Sequence, residues 1–250
     1  MADSETSNRV IVERQDGICR IAKVQMATNP QCNGPENVRF AEQRRLMVES
    51  QIRKRGVTDE RVLRAMAAVP RHEFVPPFWI YQAYADEPLP IGRGQTISQP
   101  YIVAAMVASL ALTGSENVLE IGTGCGYQAA VVSLLAREVH SVEILTDLVQ
   151  PAAERLQRLG YFNVHVHCGD GTLGWRESSP HDAILIAAAA PAIPDPLLEQ
   201  LAEGGRLIAP VGDEDKQELQ LITKHEGKLI ARQGGPCRFV PLMGRHGWPK

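Results

Sequence analysis

The sequence predicts an α/β protein: a doubly wound, mainly parallel sheet that closes with antiparallel C-terminal strands and follows an N-terminal helical segment. Three observations predict it. From Ile102 onward, apolar runs of strand length alternate with helical stretches, the rhythm of a parallel sheet covered on both faces. One of those runs, residues 117–121, leads into three glycines at alternate positions and then into a helix. Near the C-terminus, two β-rich runs flank Glu226-Gly227, which reads as a hairpin.

The elements follow in order. Residues 1–36 contain a dense breaker cluster at 29–35 and read as a poorly ordered extension, with a short accessory strand pair as the alternative. A helix is expected over 42–54, stopped by Gly56. The next carries Thr58 or Asp59 as N-cap, shows Val62, Leu63, Met66 and Val69 on one face, and ends at Pro70. The proline- and aromatic-rich stretch 74–90 is expected to be ordered by packing. Helices are then expected over 102–112, 127–138, 147–159 and 196–202, with Thr146 capping the third and Gly160 stopping it. Pro151 sits late for a first turn of that helix. Strands are expected at 117–121, 139–143, 164–168, 183–187 and 207–211, and the hairpin at 219–223 and 228–231. This divides the chain into an extension (1–36) and one domain (37–250), whose first part (37–100) is helical and whose second (101–250) is the doubly wound core.

A 44% hydrophobic fraction among 250 residues is enough to build a core, which excludes dominant disorder. Twenty-six basic against 29 acidic side chains lend no support to a general electrostatic nucleic-acid binder. The longest strongly apolar stretch, 102–112, is about half of a bilayer crossing, so no membrane association is expected. Cys19, Cys32, Cys125, Cys168 and Cys237 are far apart with no CxxC, which argues against a disulfide framework and a zinc site. The polar opening MADSETSNRV has no signal-peptide pattern, and a cytoplasmic location is expected. No coiled coil or dedicated interface segment is visible, so a monomer is the default.

The most informative segment is Glu120-Ile121-Gly122-Thr123-Gly124-Cys125-Gly126-Tyr127. Glycines let the loop turn tightly and let a ligand lie against bare backbone. On the glycines alone, an ordinary tight turn accounts for them nearly as well. Two strand ends add to the signal: Glu143 is placed to accept the hydroxyls of a ribose, and Asp170-Gly171 puts an acceptor near an adenine amino group. A dinucleotide or S-adenosyl-L-methionine could use such a site. The dinucleotide fingerprint needs its third glycine one residue later, where Tyr127 stands. Glu120 would repel phosphates and favour the cationic methionine end, so the methyl donor is the expected cofactor.

Several blocks together resemble the protein-L-isoaspartate O-methyltransferases. Leu89-Pro90-Ile91-Gly92 followed by Gly94-Gln95-Thr96-Ile97-Ser98-Gln99-Pro100 looks like that family's signature. Val69-Pro70-Arg71-His72-Glu73-Phe74-Val75-Pro76 is similar to the block upstream of it. The glycine loop, Gly169-Asp170-Gly171, Ala187-Ala188-Ala189-Ala190-Pro191 and Arg238-Phe239-Val240-Pro241-Leu242 match in the same order. The resemblance spans roughly residues 46–244 and leaves the extension without a counterpart. It implies a Rossmann-like methyltransferase that uses S-adenosyl-L-methionine to esterify the free α-carboxylate of L-isoaspartyl residues in damaged proteins and peptides, starting repair through a succinimide. It assigns Ser98 as catalytic; Thr96, Ile97 and Gln99 would flank the substrate or shape the way to the cofactor. Glu120, Gly122, Gly124, Gly126, Glu143, Asp170 and Gly171 are the expected cofactor-binding residues. Ser98 also reads as the N-cap of the following helix, since Ser-Gln-Pro precedes it. This chain departs from the pattern at Ile144, where many relatives carry a basic residue, and at Cys125, where serine is commoner. Two other readings stand beside this one: the same cofactor with a small-molecule or RNA acceptor, and a non-catalytic adenosyl-binding protein.

Overall fold

The computed structural model describes residues 35–213 and 215–248. The expectation for the N-terminal extension lies, up to residue 34, outside the described residues. Residues from Pro35 onward form one compact unit.

Helix α1 (Pro35–Leu46) continues through a π-helical turn (Met47–Ile52) and a 3₁₀ turn (Arg53–Arg55) to Gly56, whose φ of 98° ends it. Helix α2 (Glu60–Ala68) is capped by Asp59, whose carboxylate accepts from the Arg61 N–H at 2.9 Å. Its face of Val62, Leu63 and Met66, with Val69 after it, is buried as the sequence predicts. The stretch after Pro70 forms two 3₁₀ turns (Arg71–Phe74, Pro77–Gln82) and then a hairpin that the sequence does not announce. Strands β1 (Leu89–Gly92) and β2 (Gln95–Ile97) pair antiparallel across a turn in which Gly92, Arg93 and Gly94 all have positive φ. Strands this short, one holding a proline, carry too few residues to show a period of two.

Helix α3 (Pro100–Ser109) leads to β3 (Asn117–Ile121), α4 (Tyr127–Ser133), β4 (Glu138–Glu143), α5 (Thr146–Arg158) and β5 (Val164–Cys168). Helix α4 ends five residues before the expected position 138 because Asn163 donates its side-chain amide to the Ser133, Ala136 and Arg137 carbonyls. Those carbonyls are satisfied from outside the helix, so it stops. Pro151 lies inside α5, where it removes one ladder hydrogen bond without ending the helix. Strands β6 (His181–Ile186), β7 (Leu201–Gly212), β8 (Gln217–His225) and β9 (Lys228–Cys237) complete the core, with short α6 (Asp195–Glu199) before β7. The helix expected over 196–202 is therefore cut short by a strand that starts six residues earlier than predicted. The β8–β9 turn is at Glu226-Gly227, both with positive φ, as its sequence requires.

The seven-stranded sheet runs β5-β4-β3-β6-β7-β8-β9, parallel as far as β7 and antiparallel thereafter. From β3 the chain winds outward through β4 and β5, then crosses back to β6 on the other side. That reversal leaves a crevice beyond the carboxyl ends of β3 and β6, where open sheets of this kind hold ligands.

Candidate active site

The crevice is a cleft of about 760 Å³ including its open mouth. Its floor is the glycine loop. Gly122 has φ 94°, and its N–H donates to the Val142 carbonyl at 2.9 Å, which ties the loop to β4. Gly124 has φ 54° and donates its N–H to Glu143 Oε2 at 2.8 Å. Both line the cleft. Gly126 does not. It precedes α4 with φ 89°, and a Cβ there would sit 3.1 Å from Leu156 Cδ1 of α5. These features give it a part in the turn and in the close packing of α5.

The carboxylates at successive strand ends take three different positions. Glu143 lines the cleft, with Oε2 on the Gly124 N–H and Oε1 accepting the Leu145 N–H at 2.9 Å. Each oxygen keeps acceptor capacity for a ribose hydroxyl. It also satisfies the backbone before α5, where Thr146 was expected to cap and instead lies within the helix. Asp170 is turned away. Its Oδ1 accepts from Thr172 N (2.9 Å) and Oγ1 (2.7 Å), and its Oδ2 accepts the Arg245 N–H at 2.7 Å. Burial opposes its ionisation, but these hydrogen bonds outweigh it and hold the carboxyl below its usual value. Asp170 thus anchors the C-terminal segment and does not line the cleft, whereas neighbouring Gly171 does. A Cβ at Gly171 would lie 2.5 Å from Ile121 Cγ2, so only glycine fits.

Glu120 stands behind the loop, wholly buried. Ser141 Oγ donates to its Oε2 at 2.5 Å and Gln128 Nε2 to its Oε1 at 3.1 Å, while Thr123 Oγ1 lies 2.6 Å from Ser141 Oγ. Burial is the main cause that pushes its carboxyl up to about 7; the hydrogen bonds pull it down, and the Glu143 charge pushes it further up. Glu120 is absent from the cleft lining, and both of its oxygens are held by side chains behind the loop.

Gln95, Thr96, Ile97 and Ser98 form a further part of the lining. Ser98 is not the helix cap: Gln99 occupies that position, and Asp86 reaches across from the preceding segment to accept the Tyr101 N–H at 3.3 Å. Gln99 donates its amide to the Asp86 carbonyl (2.8 Å) and to Oδ2 (2.9 Å) and does not line the cleft, so it braces the wall. Freed from capping, the Ser98 hydroxyl is available to a ligand. Two stretches that carry the family resemblance, with no role legible in the sequence, close the remaining side. Ala187 and Ala188 follow β6, and Val240, Pro241, Leu242 and Met243 lie over them. Hydrogen bonds from Ala189 N to Val240 O (2.8 Å) and from Leu242 N to Ala189 O (2.7 Å) join the two. Trp248 adds its indole N–H to the Ala189 carbonyl at 2.8 Å.

Among the described residues, Glu143 is the sole charged one in this lining, and no lysine or arginine lines it. The donor set fits S-adenosylmethionine: bare backbone at Gly122, Gly124 and Gly171, a carboxylate for a ribose, and a buried Gln128 Oε1 with no hydrogen-bond partner among the described residues. Among the described residues, no cluster of His, Cys, Asp and Glu could hold a metal ion.

Comparisons with known proteins identify the family. A family model described as protein-L-isoaspartate(D-aspartate) O-methyltransferase matches residues 42–247. The chain is similar to a protein-L-isoaspartate O-methyltransferase of Geobacter metallireducens, 54% identical over 206 residues, covering 82% of this chain and 95% of that one. One from Syntrophus aciditrophicus is 53% identical over 213 residues, covering 84% and 98%. Among solved structures, a protein-L-isoaspartate O-methyltransferase superposes with TM-score 0.75 at 32% identity, covering 83% of this chain and 67% of that one. A putative one from Plasmodium falciparum, in complex with S-adenosyl-L-homocysteine, gives 0.69 at 26% identity, covering 81% and 99%.

Proposed function

This chain belongs to the protein-L-isoaspartate(D-aspartate) O-methyltransferase family, and from that premise we propose how its cleft works. The protein is an S-adenosylmethionine-dependent carboxyl methyltransferase that esterifies the free α-carboxylate of L-isoaspartyl residues in damaged proteins and peptides. The observation that carries the reading is the meeting, in one cleft without a cation, of the glycine loop, Glu143 and the wall ending at Ser98.

When bound, S-adenosylmethionine supplies an electrophilic methyl group on a sulfonium. Gly122 and Gly124, which line the cleft, would hold it against bare backbone, Glu143 would accept its ribose hydroxyls, and Ile144, Leu145 and Gly171 would bound its adenine side. The acceptor carboxylate is already ionised at neutral pH, so the protein needs no strong base. What it must provide is alignment and exclusion of water. Ser98 donates its hydroxyl to the carboxylate and orients one oxygen toward the methyl group; Thr96 and Ile97 flank the substrate. The segment from Val240 to Met243 covers the site. The ester that results is a better electrophile than the carboxylate, and the adjacent backbone nitrogen attacks it and expels methanol, closing a succinimide without further help from the protein. Ring hydrolysis returns some normal aspartate.

No helix among the described residues is long and apolar enough to cross a membrane. We take the protein to act as a cytoplasmic monomer without a nucleic-acid partner, the last supported by the near-neutral charge. The deciding experiment transfers labelled methyl groups to two peptides that differ only in isoaspartate versus aspartate. A base-labile label on the isoaspartyl peptide alone is expected; label on neither would sink the acceptor assignment.

A further inference from the structure

Glu120 touches no ligand in the scheme above, yet it controls the protons of two side chains that line the cleft. Gln128 Nε2 donates to Oε1. With the carboxyl ionised, Ser141 donates its only hydroxyl proton to Oε2, at the 2.5 Å of a charge-assisted bond. Ser141 Oγ must then accept from Thr123 Oγ1, 2.6 Å away. Thr123, committed inward, has lone pairs and no proton left for the cleft it lines. On the other side, drawing the Gln128 amide group to Glu120 leaves Gln128 Oε1 without a hydrogen-bond partner among the described residues.

We propose that Glu120 is a positioning residue that sets the hydrogen-bonding polarity of the cleft: through Ser141 and Thr123 on one side and Gln128 on the other, it makes cleft-lining side chains acceptors for the ammonium end of the methyl donor. The inference rests on the methyl-donor reading above. Protonation reverses the chain. Oε1 is occupied by the Gln128 donor, so the added proton sits on Oε2 and is given to Ser141. Ser141 then donates to Thr123, and Thr123 offers its proton outward to a site meant for a cation.

The groups that face Glu120 are Ser141 of β4, Gln128 of α4, Thr123 of the loop, apolar Leu185 beside it on β6, and Glu143, the one titratable neighbour whose charge acts on it. With the carboxyl titrating at about 7, the acceptor state is present above that pH and lost below it.

The test is calorimetric binding of S-adenosylhomocysteine, which carries the ammonium group, and of methylthioadenosine, which lacks the amino-acid end, at about pH 6 and pH 8.5. Wild-type affinity for S-adenosylhomocysteine is expected to be about tenfold weaker at the lower pH, with methylthioadenosine unchanged. Ser141→Ala should bind S-adenosylhomocysteine about tenfold more weakly at the higher pH and methylthioadenosine as before. Glu120→Gln, a standing mimic of the protonated acid, should bind S-adenosylhomocysteine weakly at both. If Ser141→Ala does not fold, Thr123→Val cuts the chain at its cleft end. Wild-type behaviour of the variant with S-adenosylhomocysteine, or equal loss of both ligands, would overturn the relay and leave the enzyme assignment intact. A wild-type protein that bound neither would overturn the methyl-donor reading itself.

Discussion

Ser98 and Glu143 line the same cleft with different duties, and single substitutions separate them. Ser98→Ala removes a donor to the acceptor carboxylate and nothing that holds the fold, because Gln99 and Asp86 attend to the start of α3. Turnover should fall roughly ten- to a hundredfold while S-adenosylhomocysteine affinity stays within about twofold. Stopped assays and calorimetry on one preparation check both, and unchanged turnover would take Ser98 out of the mechanism. Glu143→Ala should act on the other parameter. Affinity for the cofactor should drop at least about tenfold, and stability by about 1–3 kcal/mol, because the Gly124 and Leu145 N–H groups lose their acceptor. Unaltered affinity in that variant would overturn the ribose assignment.

At the scale of elements, the cleft depends on how α5 and the C-terminal segment are held. Gly126 lets α5 approach the loop; Gly126→Ala forces a left-handed residue with a Cβ against Leu156. The expected cost is about 1–3 kcal/mol by denaturant titration, with activity per folded molecule largely kept, since Gly126 lies off the cleft. Loss of activity at full stability would return this glycine to the ligand. Asp170→Ala should instead loosen the cover, because the Arg245 N–H and both Thr172 donors lose their acceptor. The KM for the cofactor should rise severalfold, roughly what one or two such bonds contribute, and protease cleavage near residue 245 should quicken.

For the molecule as a whole, the buried ionisable groups pull stability in opposite directions with pH. Glu120 titrates at about 7 when folded against a usual value of 4.5, mainly through burial. Its contribution is therefore complete below about pH 4.5 and lost as pH rises through 7. His181 and His167 are pushed down to about 4, both mainly by burial. Theirs is complete above about pH 6.5 and lost as pH falls toward 4. Denaturant midpoints should accordingly peak near about pH 6. Between pH 5 and pH 8 the wild type should lose roughly 3 kcal/mol relative to Glu120→Gln. A difference that does not change with pH would place the Glu120 titration elsewhere. The carboxylate that destabilises the fold at high pH is the one that readies the cleft for its cation, a trade of stability for function.

Much of this was legible in the sequence because it is local. Strands 117–121 and 164–168 are found where their apolar runs predict them, and Glu226-Gly227 turns where two positive φ values are needed. A parallel core, its glycine loop and a site beyond the strand ends follow from such signals alone. What only the tertiary structure decided is which way the acidic side chains face. Glu120, Glu143 and Asp170 all sit at or near strand ends, yet one is buried behind the loop, one lines the cleft and one is taken by the backbone of Arg245. Asn163 likewise ends α4 from 30 residues away, and Asp86 does the capping expected of Ser98. The reason is physical: a period in the chain reports which face of an element is apolar, whereas a polar side chain goes to whichever donor folding brings within 3 Å, and that donor is distant in sequence.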